Sequence, residues 1–417
     1  MNYDYIKESA KECLQCIKSP CKKGCPLNND IRGFIKLFRE EKYKEAYDLL
    51  LETTVLPSIC GRICPKSRQC EGKCVKGKIK DSKAVEIGKI EAFIGDMAIK
   101  NNWSINSLPL NNKRVAIVGG GPAGLTCAAF LRRNGYDVTI YEKHNYLGGL
   151  LYHGIPEFRL DKTLLRKVIN NILELGIDVR LNQSIGKDFS LDYLENEYDA
   201  VFLGFGANIS NKMNISGEKL DGVYGGNELL ESNNHPNYEG KVVIIGGGNV
   251  AIDVARTIKK TDAKKVYVIY RRSEKESPAD ENEIREAKEE GVEFLFQTNI
   301  LGIYGKDKVE KIEVIKTKLV KKDEDDRLSF VNIEGSNYYL FCDYVVMAIG
   351  SHPETSIVNS LGLALDKSGR ILIDKDGHTS KEKVFAGGDL AGTTSTVAFA
   401  SRAGRDAAYA IMKYLDY

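Results

Sequence analysis

Eight of the ten cysteines lie within the first 74 residues, where they form two groups. The first group has the spacing Cys-x2-Cys-x4-Cys-x3-Cys-Pro and the second has Cys-x3-Cys-x5-Cys-x3-Cys; the members are Cys13, Cys16, Cys21, Cys25, Cys60, Cys64, Cys70 and Cys74. Bacterial ferredoxin runs also end in x3-Cys-Pro, so the pattern favours two 4Fe-4S clusters. Zinc is the alternative, although neither group has the paired CxxC spacing of zinc ribbons.

A glycine-rich segment at 119–124, Gly-Gly-Gly-Pro-Ala-Gly, satisfies the GxGxxG pattern. The three glycines of this pattern permit a tight turn, close approach of a pyrophosphate to the backbone, and close packing of helix on strand. The residues expected to bind a dinucleotide here are Gly119, Gly121, Pro122, Ala123 and Gly124. Glu142 ends the next predicted strand, where a carboxylate would accept a hydrogen bond from a ribose hydroxyl.

A second loop at 246–251 reads Gly-Gly-Gly-Asn-Val-Ala and fits the GxGxxA variant. Its expected binding residues are Gly246, Gly248, Asn249, Val250 and Ala251. The following strand ends in Tyr270-Arg271-Arg272 rather than in an acid. Because NAD sites carry an acid there and a guanidinium can pair with the 2′-phosphate of NADP, the two arginines favour NADPH. The alternative is that they only cover a strand end.

Two such loops in one chain suggest FAD together with a nicotinamide nucleotide. A strand that ends in Gly388-Asp389 can place its carboxylate on the ribityl chain of the flavin. The segment 396–410 has a helical pattern, so its N-terminus at Thr396 and Val397 could face the electron-rich pyrimidine edge.

Hydrophobic periodicity predicts the elements that position these residues. Strand–helix–strand units are predicted at 114–142 and at 241–270, so a βαβ opening occurs twice. Two short helices within 28–53 separate the cysteine groups, and a third runs from about Ser82 to Lys100. The polar stretch 101–113 is predicted to be a linker.

The 417 residues, 42% of them apolar, suffice for about three globular domains. Because 60 Lys and Arg nearly balance 58 Asp and Glu, the chain has no overall attraction to nucleic acid or anionic membrane. We find neither the apolar core of a signal peptide nor an uncharged run long enough for a membrane span, and we expect a cytoplasmic protein. Crowded cysteines in such a chain favour clusters over disulfides.

The first 110 residues carry 20 Lys and Arg against 14 Asp and Glu, a local net charge of +6. A basic shell would offset the negative charge of thiolate-bound clusters. An ordinary solvated lysine-rich surface is the alternative.

Three segments carry a resemblance over nearly the whole chain: Gly148-Gly149-Leu150-Leu151-Tyr152-His153-Gly154-Ile155-Pro156-Glu157-Phe158-Arg159-Leu160, Tyr270-Arg271-Arg272 and Val384-Phe385-Ala386-Gly387-Gly388-Asp389. With these the chain resembles the family that includes the glutamate synthase small subunit, the N-terminal half of dihydropyrimidine dehydrogenase and the large subunit of NADH-dependent ferredoxin:NADP oxidoreductase. Many relatives carry a further Arg where this chain has Pro278-Ala279-Asp280-Glu281, so NADH remains possible.

The resemblance implies a multidomain fold, an α-helical 4Fe-4S domain followed by two α/β Rossmann-like nucleotide-binding domains. The FAD domain is of the glutathione reductase type, with the NAD(P)H domain inserted into it. The expected boundaries are 1–110 for the cluster domain, 111–230 and 351–417 for the FAD domain, and 231–350 for the NAD(P)H domain. Further FAD-binding residues implied are Lys143, Gly149, Leu150, Ile155 and Arg159.

The resemblance also implies how the ligands divide. One cluster takes Cys13, Cys16, Cys21 and Cys74, and the other takes Cys25, Cys64, Cys70 and Glu91. The acid corresponds to a Gln in dihydropyrimidine dehydrogenases and to a Glu in the glutamate synthase group. Gly88, Glu91 and Gly95 share a helix face, so we expect two small residues beside the acid to admit the cluster. Cys60 is then left over as a buried neighbour.

The expected chemistry is hydride transfer from NADPH to FAD, followed by single electrons through the clusters, and it needs no side-chain base. A disulfide reductase would need a dithiol beside the flavin, and neither Cys127 nor Cys342 has a cysteine close in sequence. The chain has no room for a substrate barrel, so the electron acceptor is expected to be another protein in a hetero-oligomer.

Three acceptors compete: a glutamate synthase large subunit, a separate FMN protein that reduces a pyrimidine or another small molecule, and ferredoxin. Glu91 in place of Gln favours the first. A redox-sensing binding protein is the non-enzymatic alternative, but two intact nucleotide sites would then be superfluous.

Overall fold

The computed structural model describes residues 3–232, 237–322, 325–392 and 395–416. The chain divides into two compact units. The first comprises the described parts of 1–152, 157–207 and 353–417, and the second comprises those of 153–156 and 208–352. No helix within the described ranges is both long and apolar enough to cross a bilayer.

The first unit begins with six helices: α1 (Tyr3–Lys11), α2 (Pro20–Gly24), α3 (Ile31–Arg39), α4 (Tyr43–Leu51), α5 (Pro57–Ile63) and α6 (Ile87–Lys100). The two helices predicted between the cysteine groups are confirmed as α3 and α4, whose buried faces carry the apolar residues of the 3.6-residue pattern. The third predicted helix begins at Ile87 rather than at Ser82. Short 3-10 turns between 66 and 78 precede it and hold the chain around Cys70 and Cys74.

The rest of the first unit is an α/β domain. Its elements are β1 (Arg114–Val118), α7 (Pro122–Arg133), β2 (Asp137–Tyr141), α8 (Lys162–Leu173), β3 (Asp178–Arg180), α9 (Leu191–Glu197) and β4 (Ala200–Leu203), completed after the second unit by α13 (Thr355–Ser360), β16 (Val384–Ala386) and α14 (Val397–Leu415). The strands form one parallel sheet in the order β16-β4-β1-β2-β3. Because α7 and α14 pack on this sheet, its central strands are apolar without alternation.

The second unit contains β5 (Ile209–Ser210), β6 (Val223–Gly225), α10 (Gly226–Glu231), β7 (Lys241–Ile245), α11 (Asn249–Lys259), β8 (Lys265–Tyr270), α12 (Glu281–Glu289), β9 (Glu293–Phe296), β10 (Thr298–Tyr304), β11 (Lys311–Lys322), β12 (Asp325–Asn332), β13 (Tyr338–Phe341), β14 (Tyr344–Met347) and β15 (Ser351–His352). Its main sheet is parallel, in the order β6-β14-β7-β8-β9. Residues 208–230 belong to this unit, and β6 within them pairs with β14 of the sheet.

An antiparallel sheet of β10, β11, β12 and β13 follows the second βαβ unit. The sequence patterns did not predict it. Several of its apolar side chains are exposed, such as Tyr339 and Phe341, so the sheet lacks the uniformly buried strands that mark the two parallel sheets.

Candidate functional site

The first four predicted ligands lie around one small cavity. Cys13 and Cys16 lie in the irregular stretch after α1, Cys21 lies in α2, and Cys74 follows a 3-10 turn; all four line this cavity. The pKa of Cys21 is raised to about 11, mainly by burial and to a lesser extent by the charges of Cys74 and Cys13. Burial likewise raises the pKa of Cys13, with added contributions from Cys74 and Cys16.

The other predicted ligands form a second group. Burial raises the pKa of Cys25 to about 12, and the charges of Glu91 and Cys64 add to the effect. Burial raises the pKa of Cys70 well above its usual value, again with contributions from Glu91, Cys25 and Cys64. Such thiols hold their protons at neutral pH unless a metal binds, since coordination deprotonates a thiol outright. Each group therefore suits a cationic centre.

Cys60 lies beside the second group rather than in the first. It is buried within α5, and its thiol shares a hydrogen bond with Cys64, which is the first cause of the raised pKa of Cys64. The predicted burial of Cys60 is confirmed, and its exclusion from the ligand set stays a prediction.

Glu91 lies on α6 and is only 6% exposed. Asn29 donates a hydrogen bond from Nδ2 to Oε1 of Glu91 over 3.1 Å. Burial raises the pKa of Glu91 to about 8; Lys66 and Asn29 oppose this shift, and Glu71 adds to it. A buried carboxylate held by one amide is costly to ionise alone, so it fits a position beside a metal.

Gly88 and Gly95 lie on the same face of α6 as Glu91, but they contact a neighbouring helix. A Cβ at Gly95 would lie 2.5 Å from the backbone nitrogen of Ser58, and one at Gly88 would lie 2.7 Å from the carbonyl oxygen of Gly61. Both contacts are with α5. The expectation that Gly88 and Gly95 make room for a cluster is wrong, because they allow α5 and α6 to pack at backbone distance.

The first glycine loop has the geometry that the GxGxxG pattern requires. Gly119 has a φ of +103°, and a Cβ there would lie 2.6 Å from Phe205. A Cβ at Gly124 would lie 1.8 Å from the carbonyl oxygen of Gly119, so the third glycine lets α7 pack on β1. A Cβ at Gly121 would meet nothing closer than 4.0 Å. The space over Gly121, beside Pro122 and Ala123 in the first turn of α7, is open to an anion.

Glu142 is buried and orders this loop. Its Oε2 accepts the Gly120 N–H over 2.8 Å, and its Oε1 accepts the His144 N–H over 2.9 Å. Gly148 donates its N–H to the Gly120 carbonyl over 2.8 Å, and a Cβ at Gly149 would lie 3.0 Å from Gly121 Cα. Glu142 thus has lone pairs left for a ribose hydroxyl while it already holds the loop.

Asp389 lies in the short turn after β16. Burial raises its pKa, and Ser395 and Arg370 oppose the shift. Its Oδ1 is buried and has no hydrogen-bond partner among the described residues. Because a buried polar atom without a partner is costly, this oxygen fits a hydroxyl donor such as the ribityl chain of a flavin.

The remaining residues predicted to bind the flavin either follow Glu142 in the sequence or flank Asp389. Gly388 has a φ of +72°, and a Cβ there would lie 3.2 Å from the Ala123 side chain. Thr396 caps α14 through its hydroxyl, which accepts the Phe399 N–H, and Val397 is the first residue of that helix. The other four are an exposed Lys143, the partly buried Leu150 and Arg159, and Ile155, which belongs to the 153–156 segment of the second unit.

The second glycine loop repeats this plan. Gly246 has a φ of +146°, and a Cβ there would lie 2.2 Å from the Ala348 carbonyl oxygen. Gly248 is the N-cap of α11, and the nearest atom to its Cβ would be 3.9 Å away, in Pro278. The helix begins with Asn249 and Val250, which are partly buried, and Ala251, which is buried.

The segment after β8 folds back over this loop. The Ser277 hydroxyl donates to the Gly247 carbonyl over 2.6 Å, and Asp280 donates its N–H to Oδ1 of Asn249 over 3.0 Å. Asn249 therefore supports the loop as well as lying in it. The sequence patterns did not single out Ser277, and no spacing would have found it.

Arg271 and Arg272 follow β8 directly, as predicted, and both contact the β11–β12 hairpin. The guanidinium of Arg271 lies 4.7 Å from the ring centre of Phe330, and that of Arg272 lies 5.9 Å from it. Nε of Arg272 also donates to the Leu328 carbonyl over 2.9 Å. The aromatic ring beneath the two cations was missed because it is remote in sequence and lies on an unpredicted hairpin.

The family described as pyridine nucleotide-disulphide oxidoreductase matches residues 113–407, and that described as dihydropyrimidine dehydrogenase domain II, 4Fe-4S cluster, matches residues 1–103. Among solved structures, FprA of Mycobacterium tuberculosis in complex with NADPH aligns with a TM-score of 0.66 at 22% identity, over 74% of this chain and 85% of that one. Thioredoxin reductase of T. acidophilum aligns with a TM-score of 0.54 at 22% identity, over 73% and 99%. The predicted fold class is confirmed.

Two curated relatives cover almost the whole chain. The glutamate synthase [NADPH] small chain of Escherichia coli is 37% identical over 98% of this chain and 91% of its own length. The NADPH-Fe(3+) oxidoreductase subunit beta of Geobacter sulfurreducens is 36% identical over 95% of this chain and 64% of its own length. The predicted resemblance is confirmed, and the chain belongs to the glutamate synthase small-chain family of NAD(P)H-dependent oxidoreductases, with a 4Fe-4S domain and an FAD- and NADPH-binding region.

Proposed function

We propose that this chain is the electron-input subunit of a glutamate synthase-like enzyme and that it carries two 4Fe-4S clusters. The proposed ligands are Cys13, Cys16, Cys21 and Cys74 for the first cluster, and Cys25, Cys64, Cys70 and Glu91 for the second. The observation that carries the proposal is the separation of these eight side chains into two groups, with Cys60 hydrogen-bonded to Cys64 of the second group.

The bound flavin would supply the conversion of one hydride from NADPH into two single electrons. The chain's own residues position the groups. The open backbone at Gly121 and the unpartnered Oδ1 of Asp389 would hold the pyrophosphate and the ribityl chain, and the loop at Gly248 would hold the nicotinamide nucleotide. Arg271 and Arg272 would contact its 2′-phosphate and select NADPH over NADH.

One contact within the first unit supports a proposed order of the two clusters. Arg405 of α14 donates to the carbonyl oxygens of Leu27, over 2.8 Å, and Thr53, over 3.3 Å. Leu27 is two residues from Cys25, and the Thr53 hydroxyl bonds Asn29, which in turn bonds Glu91. These contacts link the second cysteine group to the helix whose N-terminus we assign to the flavin, and we propose that the second cluster is the one closer to the flavin.

The glutamate synthase assignment rests on the acid at position 91 and on the relative named as a glutamate synthase small chain. The relative named as a subunit beta supports only the assignment as a subunit of a larger enzyme. We assign the cluster domain to 1–110, the FAD domain to the rest of the first unit, and the NAD(P)H domain to the second unit. We also propose a cytoplasmic location, since thiols that ligate clusters need a reducing compartment.

Anaerobic purification tests the assignment directly. The protein should bind one FAD and about eight irons, the content of two 4Fe-4S clusters. It should oxidise NADPH with an artificial dye and form no glutamate by itself. Zinc in near-stoichiometric amount, or fewer than about five irons after reconstitution, would contradict the two-cluster assignment. Co-purification from native extract with a protein other than a glutamate synthase large subunit would contradict the assigned partner.

A further inference from the structure

A cleft with a strong excess of positive charge lies beside the first cysteine group. Its charged lining consists of five cations and one carboxylate: Lys18, Lys22, Lys23, Arg32, Lys36 and Asp30. The carboxylate is engaged as the N-cap of α3, where it accepts the Gly33 N–H over 3.3 Å. The acid paired with Lys36, Glu40, is 4.0 Å away. Two acids against five cations leave the cleft with an excess of positive charge, so it would present a net positive field to solvent.

The cleft adjoins the cavity that the first four cysteines line. Ser19 and Arg32 line both. Four of the five cationic residues are exposed, namely Arg32 and the lysines Lys18, Lys23 and Lys36. Because their charges lie in water rather than against the thiols, these lysines act on molecules that approach from outside more than on the cluster.

Two apolar side chains are exposed at the same place. Ile17, which also lines the cleft, is 89% exposed, and Leu14 is 52% exposed. Each is next to a ligand cysteine in the chain, Ile17 after Cys16 and Leu14 after Cys13. A bare apolar patch bordered by charges is the usual composition of a transient protein interface, with an apolar centre and a polar rim. Both side chains thus lie one residue from a proposed ligand of the first cluster.

We propose that this surface, the five cations with Ile17 and Leu14, docks an acidic face that surrounds a one-electron centre of the accepting protein. The inference rests on the proposed function and names the chemistry of its partner surface. One NADPH would reduce two such centres, one electron at a time, and release NADP+ and one proton. Charge complementarity would raise the association rate, and Ile17 and Leu14 would contact the partner in the bound complex.

Two small one-electron proteins of opposite charge serve as probes: plastocyanin, which is acidic, and cytochrome c, which is basic. NADPH-dependent reduction of each is measured with the holoprotein at low and high salt. An uncharged quinone, menadione, reports flavin reduction without docking. The test variant is Lys18→Glu with Lys36→Glu, and the matched control is Lys367→Glu with Lys375→Glu, which makes the same change of charge on exposed lysines outside the cluster domain.

We expect plastocyanin to be reduced faster than cytochrome c, and its rate to fall with salt. The rate should drop about tenfold or more in the test variant at low salt, since electrostatic steering changes association rates by ~10 to 10³-fold. It should stay near wild type in the control variant. Ile17→Ser should lower the rate at high salt as well, and menadione reduction should be the same in all variants.

Equal rates for the two probes, or equal plastocyanin rates in the two double variants, would overturn the docking surface while leaving the proposed function standing. Failure of the wild-type protein to reduce menadione would overturn the proposed function and this inference together. A test variant that loses iron relative to the control variant would also overturn it, because the lysines would then serve the cluster rather than the partner.

Discussion

The side chain of Asn29 donates from Nδ2 to Oε1 of Glu91 over 3.1 Å, and both residues are buried. The Thr53 hydroxyl donates to Oδ1 of Asn29 over 2.7 Å, which orients the amide so that its NH2 group faces the acid. This chain of contacts joins three segments that are far apart in the sequence. It holds one carboxylate oxygen in place and so would orient Glu91 as a ligand of the proposed second cluster.

Single substitutions of Glu91 and Cys60 show which of the two residues is a ligand of the second cluster. Cys60→Ala should keep about eight irons, because Cys60 hydrogen-bonds Cys64 and is not among the proposed ligands. Glu91→Ala should alter or lose the cluster held by Cys25, Cys64 and Cys70, while NADPH still reduces FAD. Iron content and the electron paramagnetic resonance spectrum of the reduced protein measure both. Loss of about four irons from Cys60→Ala alone would show that both clusters are bound by cysteine only.

The acid also predicts how the metal-stripped protein responds to pH. Burial raises the pKa of Glu91 from its ordinary 4.5 to about 8 in the folded chain. Between these values the folded state binds more protons than the unfolded state, so the free energy of unfolding should fall as pH rises from 5 to 8. Glu91→Gln should remove most of this slope, and Glu71, whose pKa burial also raises, should account for a remainder.

Denaturant unfolding at several pH values measures this slope. The cluster-loaded wild type is the control, since ligation keeps the carboxylate ionised and should flatten the profile. An unchanged slope in Glu91→Gln would mean that the buried acid is not the group responsible.

Two glycines of the first loop should respond differently to the same substitution. Gly124→Ala should prevent the FAD domain from folding, because the new Cβ would lie 1.8 Å from the Gly119 carbonyl oxygen. Gly121→Ala should fold, since its Cβ meets nothing within 4.0 Å, but it should release FAD because that space is where the pyrophosphate approaches. Circular dichroism and flavin content distinguish the two outcomes. Full retention of FAD by Gly121→Ala would argue against this position for the pyrophosphate.

Nucleotide choice should depend on the arginines after β8. Replacement of Arg271 and Arg272 by Ala should weaken NADPH much more than NADH, by ~10 to 100-fold, since charge-assisted hydrogen bonds contribute about 1.5–3 kcal/mol each. The KM for each nucleotide in dye reduction measures the effect. Equal losses for both nucleotides would exclude contact with the 2′-phosphate.

Substitution of Phe330, whose ring lies beside the two arginines, should also weaken NADPH binding, but by less. Phe330→Leu keeps an apolar side chain but removes the aromatic face that Arg271 contacts at 4.7 Å. A cation–π contact contributes about 0.5–1 kcal/mol at exposed sites, so the KM for NADPH should rise about two- to fivefold with NADH little changed. An increase for NADH of the same size would indicate that the ring supports the whole nucleotide site rather than the arginines.

The sequence by itself determined both nucleotide loops and the helices between the cysteine groups. These features are local: a GxGxxG turn between a strand and a helix depends on residues a few positions apart, and so its glycines could be assigned to their tasks before the fold was known. The ligand division came from family resemblance, since spacing alone could not say which cysteines meet.

Only the tertiary structure decided which distant groups come together. The packing of α5 on α6 explains Gly88 and Gly95, the Asn29 amide reaches Glu91 from another segment, and Phe330 reaches Arg271 from an unpredicted hairpin. Each of these contacts depends on how secondary-structure elements pack, and packing is set by the summed burial of many side chains. Residue spacing within one segment does not report this summed burial, so these partners could not be predicted from the sequence pattern.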